Sequence, residues 1–135
     1  MIVLHQQFSY TKGKKAGLSI KLTKERDRMK LGIVISTNDS EEVWSAFRFA
    51  NVALKKNHTV NVFLVNKGVE AEDIKSDRFP VKEQLEQFIS NKGELLACGT
   101  CMKTRQKQES TFCPIATMND LLEIVEESDK LVTFG

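Results

Sequence analysis

Lys30-Leu31-Gly32-Ile33-Val34-Ile35-Ser36-Thr37-Asn38-Asp39-Ser40 is the stretch that decides the fold. Leu31 to Ile35 form a short, continuous apolar run, as expected of a strand with both faces covered. Ser36 to Ser40 break the run, and Asp39 can cap a helix together with Glu42 three residues on. Val43, Ala46, Phe47, Ala50 and Leu54 then recur at helical spacing and give one apolar stripe. Lys55, Lys56 and Asn57 close that helix.

The unit repeats along the chain. Val60, Val62, Phe63, Leu64 and Val65 read as a second buried strand, followed by a polar loop containing Gly68. Pro80 sits where a helix can start, Val81, Leu85, Phe88 and Ile89 supply its apolar face, and Gly93 ends it. Glu94 to Cys98 reads as a third strand. Thr117 can cap a last helix with Asp120, its inner face lined by Met118, Leu121, Leu122 and Val125, and Lys130 to Phe134 is the last strand. Strands alternating with helices predict a mainly parallel sheet with helices on both sides, a three-layer α/β/α sandwich. The crossovers are expected to be right-handed.

With 135 residues the chain has material for one core. Its composition, 41% hydrophobic and 28% charged, is that of a globular protein. No apolar run approaches the roughly 20 residues of a membrane span, and Met1 to Leu4 is too short for a signal-peptide core. A cytoplasmic location is therefore expected. Residues 1–29 carry seven basic residues against two acidic ones, so the leader is at +5 while the whole chain is at +2. This leader fits no strand–helix unit and is expected to be a flexible basic extension preceding a domain over residues 30–135. The remainder is mildly acidic, which argues against a specific nucleic-acid reader.

Chemistry concentrates in the cysteines. Three is an odd number and argues against a closed disulfide framework; C-x-x-C spacing in a reducing compartment points to redox or metal chemistry instead. Cys98 falls at the carboxyl end of the third strand, where open parallel sheets gather their chemistry. Gly99 permits a sharp turn. A helix starting near Thr100 would turn its free N–H groups toward the Cys98 sulfur and favour a thiolate. Lys103, Arg105 and Lys107 would add positive potential, so an easily ionised, exposed thiol is expected, with Cys101 beside it. The alternative for a cysteine closing an apolar strand is simple packing. Cys113, before Pro114, could resolve a persulfide, supply a third metal ligand, or pack.

The stretches Leu31–Asn38, Val60–Leu64 leading to Gly68-Val69, Leu95-Leu96-Ala97-Cys98-Gly99-Thr100-Cys101 and Cys113–Leu121 together resemble the DsrE/DsrF-like family, which includes small sulfur-relay subunits. The resemblance implies a flavodoxin-like, DsrE-type fold and assembly into trimers or hexamers, homomeric or heteromeric. It implies that Cys98 carries sulfane sulfur as a persulfide, with sulfur donor and acceptor proteins as partners and no cofactor. By the same resemblance the activity is sulfurtransferase-like and rests on Cys98; Cys101 and Cys113 join it as candidate catalytic residues by their spacing and placement in this sequence. One departure stands out: the family often closes the helix after the cysteine with Arg-Gly, where this chain has Arg105-Gln106. Two other classes remain open, a cysteine-based metal or redox module and a non-catalytic subunit of an oligomer.

Other signals are weaker. No Walker loop and no G-x-G-x-x-G is present. The hydroxyls of Ser36 to Ser40 are read as capping groups in preference to an anion site. His5 and His58 are read as solvated, and Trp44 as packing on the sheet or lying at an oligomer interface.

Overall fold

A computed structural model describes residues 27–110 and 113–135. Five strands alternate with helices: β1 Lys30–Ile35, α1 Ser40–Lys55, β2 Thr59–Leu64, a 3-10 helix Asn66–Asp73, α2 Val81–Ser90, β3 Glu94–Cys98, α3 Gly99–Thr104, β4 Ile115–Ala116, α4 Met118–Glu127 and β5 Lys130–Phe134. All pairings are parallel, in the order β4-β3-β2-β1-β5. The chain thus steps outward from β1 to β4 and then returns to β1's other side. With right-handed crossovers, that reversal puts α4 on the face opposite α1 and α2. The flavodoxin-like α/β/α architecture expected from the sequence is the one observed.

The local reasons are those the sequence supplies. Asp39 accepts the Glu42 N–H at 3.0 Å and starts α1. Thr117 and Asp120 form a reciprocal capping box at the start of α4. Val43, Ala46, Phe47 and Ala50 of α1 meet Val81, Leu85 and Phe88 of α2 in the core, where the Phe47 and Phe88 rings pack edge-on at 5.6 Å. Each such aromatic withdraws enough apolar surface to stabilise the fold by about 1.5–3 kcal/mol.

Four features differ from the sequence reading. The polar loop around Gly68 is a two-turn 3-10 helix with Gly68, Val69 and Ala71 buried. A Cβ on Gly68 would strike the carbonyl oxygen of Ile35, so only glycine lets this helix lie against the end of β1. A fifth strand, β4, pairs Ile115 with Ala97 and Ala116 with Cys98. On α4, Met118 and Leu122 are exposed while Ile124 is buried and Leu121 half-buried, so the inner face is rotated from the one expected. His58 is not simply solvated: its Nδ1 accepts the Met29 N–H at 3.1 Å, while Met29's carbonyl accepts the Thr59 N–H at 3.0 Å. The expected flexible arm lies, for residues 1–26, outside the described residues.

Trp44 is half-buried, its ring tilted against Phe79 at 5.3 Å under the Arg48 guanidinium at 4.4 Å. At the end of α3, where the family often has Arg-Gly, Gln106 adopts φ 55°, the left-handed conformation glycine takes most easily. The Gln106 and Lys107 N–H groups then close the helix on the carbonyls of Lys103 and Met102 at 3.0 and 2.8 Å. The sequence left this helix ending open; the helix closes at Arg105, with Gln106 in the left-handed position that glycine would hold with less strain.

Candidate thiol site

Cys98 ends β3 and is the N-cap residue of α3, so Cys101 lies one helical turn further on. Both sit at the carboxyl edge of the sheet. Gly99 between them does not have a positive φ; a Cβ there would come within 2.7 Å of the Ile115 side chain, so the glycine makes room for β4. β4 in turn pairs alongside Cys98, and this is why the thiol expected at the surface is buried, with 3% of its surface exposed. Nor does the Cys98 side chain accept a hydrogen bond from the first turn of α3, as the sequence reading expected.

The sulfur that does receive an N–H is that of Cys101. It is half-buried, and Asn66, opening the 3-10 helix after β2, donates its backbone N–H to Cys101 Sγ at 3.2 Å. The Asn66 Oδ1 lies 3.8 Å from the same sulfur, in place to accept from the thiol. Arg105 Nη1 donates to the Cys101 carbonyl at 3.1 Å. Partial burial is the strongest influence on the Cys101 thiol and raises its pKa; the Asn66 N–H opposes this, the neighbouring Cys98 raises it further, and the Arg105 charge opposes. Cys101 is therefore not an easily ionised thiol. Instead, a thiol held mainly protonated sits between one donor and one acceptor.

The basic stretch is engaged elsewhere. Arg105 Nε is bound to Glu70 at 3.0 Å, and Lys107 pairs with Asp73. Ser110 donates to Glu72 at 2.8 Å, and Asn38 donates to Glu70 at 3.0 Å. The acids of the 3-10 helix thus clasp the chain as it leaves α3. A cleft of about 540 Å³ opens beside this clasp, between the start of α1 and the end of the 3-10 helix. Its cations are Lys75, Arg105 and Lys107, of which the last two are already paired, and Asp39 is occupied as the α1 cap.

Cys113 has different surroundings. It is buried, 4% exposed, and burial pushes its thiol up to about 12, with Glu72 and Glu109 adding to the rise and Lys107 opposing it. The charges acting on it are those of the clasp, whereas Cys101 responds to Cys98 and Arg105. The structure therefore brings Cys98 and Cys101 together and gives Cys113 a setting of its own. All three are free thiols. Among the described residues no group of three or more His, Cys, Asp or Glu side chains converges to hold a metal ion. Among the same residues no helix is long and apolar enough to cross a membrane.

Asn66 was missed by the sequence reading, because a backbone N–H leaves no signal in side-chain identity. The available hint was an asparagine directly after a buried strand, a residue that tolerates left-handed backbone.

The DsrE/DsrF-like family model matches residues 29–134, the whole of the sheet and every element around the thiols. The chain belongs to the DsrE/DsrF-like family. Two similar relatives are uncharacterised archaeal proteins. One, from Methanopyrus kandleri, is 38% identical over 100 residues, covering 70% of this chain and 83% of the relative. The other, from Methanocaldococcus jannaschii, is 36% identical over 115 residues, covering 78% of this chain and all of the relative. Family membership suggests a sulfur-relay role in general terms.

Proposed function

We propose that this protein is a sulfur carrier with sulfurtransferase-like chemistry, working through the Cys98 and Cys101 pair. The observation that carries the reading is their juxtaposition at the carboxyl edge of a parallel sheet, one thiol reachable and hydrogen-bonded, the other beneath it. Sulfur arrives at Cys101. Its thiolate attacks the outer sulfur of a donor persulfide R–S–SH, giving Cys101–S–SH and releasing the donor as R–S⁻. The Cys98 thiolate then attacks that outer sulfur, forming Cys98–S–SH and restoring the Cys101 thiolate. Each step makes one S–S bond and breaks one, so no oxidant, reductant or cofactor is consumed. On Cys98 the transferred sulfur rests away from bulk solvent, and the reverse steps deliver it to an acceptor thiol.

Cys113 is assigned to packing, since burial and two carboxylates keep it protonated. Sulfur donor and acceptor proteins are the partners this chemistry requires, and a reducing cytoplasm suits three free cysteines. Assembly into a homo-oligomer, a trimer or hexamer by the family resemblance, is supported by the exposed apolar side chains of Ile115, Met118 and Leu122 near β4.

The test is intact-mass spectrometry after incubation with glutathione persulfide. The unmodified chain should gain one sulfur atom, and the Cys98→Ala, Cys101→Ser double variant none. A double variant that still takes up sulfur contradicts the assignment.

A further inference from the structure

Asn66 holds φ 54°, a left-handed backbone that disfavours most residues by about 1–2 kcal/mol and that asparagine tolerates better than most. What this conformation accomplishes is direction. The Asn66 N–H points at Cys101 Sγ from 3.2 Å, and the Asn66 side-chain oxygen stands 3.8 Å from the same atom. A sulfur so placed has a partner in either protonation state: as S–H it donates to Oδ1, and as S⁻ it accepts from the N–H. The Cys98 side chain accepts no N–H from the start of α3 and is instead the neighbour of the Cys101 thiol.

We propose that Asn66 is a positioning residue of the thiol site, its left-handed backbone aiming an N–H at Cys101 Sγ so that the sulfur is held in place and its thiolate stabilised for attack on incoming sulfur.

The placement is enforced from two sides. Gly68 lets the 3-10 helix press onto the carbonyl end of β1, and the Gly68 N–H closes its first turn on Val65 at 2.9 Å. From the helix side, Arg105 is held by Glu70 at 3.0 Å while donating to the Cys101 carbonyl at 3.1 Å, so one ion pair joins the element bearing the donor to the element bearing the sulfur. The charged and titratable groups facing Cys101 are therefore Arg105 at the end of its own helix, Glu70 on the 3-10 helix, and Cys98 at the end of β3. Glu70 is engaged by both Arg105 and Asn38, which leaves the Asn66 N–H as the directed donor to the sulfur. A hydrogen bond to a charged acceptor is worth more than one to a neutral acceptor, so this N–H favours the thiolate over the thiol.

The purpose of this arrangement rests on the sulfur-relay reading, but its test reads the thiol directly. The full chain carrying Cys98→Ala and Cys113→Ala leaves Cys101 as its only cysteine. Its alkylation by iodoacetamide is followed by mass spectrometry from neutral pH to beyond the midpoint of its profile. In that background Asn66→Gly keeps both the N–H and the left-handed backbone, Asn66→Val disfavours that backbone, and an amide-to-ester replacement at residue 66 removes the N–H alone. The glycine form should keep the parent profile. The valine and ester forms should react about tenfold more slowly at neutral pH, with the midpoint moved upward. If the valine form does not fold, the ester form decides. An ester form with the parent profile overturns the proposal. So does a glycine form slowed as much as the ester, since the side-chain amide would then be responsible. A chain that shows the expected profiles and yet takes up no sulfur would leave this inference standing and remove the relay reading.

Discussion

Two neighbouring regions of the carboxyl edge use similar residues in opposite ways. At the thiol corner, backbone and side-chain groups converge on a sulfur: the Asn66 N–H at 3.2 Å, its Oδ1 at 3.8 Å, and Cys98 beneath. In the clasp just downstream, Arg105, Lys107 and Ser110 turn to Glu70, Asp73 and Glu72, and Cys113 is shut behind them. A cysteine followed by basic residues suggests an activated thiol, yet these cations serve the clasp first. Of these cations, Arg105 is the one that also acts on Cys101. Proximity in sequence to a cysteine therefore does not identify what activates it; the direction of individual donors does.

Substitutions in each region separate their roles. The largest effect is expected at Gly68, on which the placement of Asn66 depends. Gly68→Ala drives a Cβ into the Ile35 carbonyl and should lower stability by about 3 kcal/mol, read by urea unfolding, with Cys101 alkylation changed in the same variant.

Next comes the alkaline limb of stability. The Cys113 thiol titrates from the model-peptide value of 9.0 when unfolded but only at about 12 when folded. Above pH 9 the unfolded chain loses this proton and the folded chain retains it, so stability falls with rising pH by about 1.4 kcal/mol per unit. Cys113→Ala should remove that contribution between pH 9 and 12, seen as a shallower decline in melting temperature with pH. Equal slopes would mean that Cys113 is not shut in as described.

Gln106→Gly relieves the left-handed strain at the end of α3 and should stabilise by about 0.5–1 kcal/mol, a rise of a few degrees in thermal melting. The smallest effect is expected from Glu70→Gln. Arg105 and Glu70 are both partly exposed, so the loss should stay below about 1 kcal/mol and shrink with added salt. Its more telling readout is Cys101 alkylation, which should change because the pair joins the two elements of the thiol corner.

Much of the fold was readable because burial on both faces forces continuous apolar strands, as at Leu31–Ile35 and Val62–Leu64. The α1 stripe and both caps were readable for similar reasons. What escaped had no periodic signal. β4 is two residues long and holds its place by pairing with Ala97 and Cys98, not by an apolar run of its own. The 3-10 helix has only three buried residues among eight, too few to distinguish it from a polar loop. Missing β4 led directly to the wrong depth for Cys98, since that strand is what covers it. The pairing of Cys98 with Cys101 was legible from C-x-x-C spacing at a strand end. The difference between them, one buried and one presented to a backbone donor, depended on Ile115 and Asn66, far away in sequence.

In the proposed relay, sulfur passes first to the reachable thiol and then to the covered one. Rapid-quench peptide mapping during loading with glutathione persulfide tests this most directly. The added sulfur should appear on Cys101 first and then accumulate on Cys98, with Cys101→Ser slowing the labelling of Cys98. Sulfur found first on Cys98 at an undiminished rate in Cys101→Ser, or found on Cys113, would contradict the account.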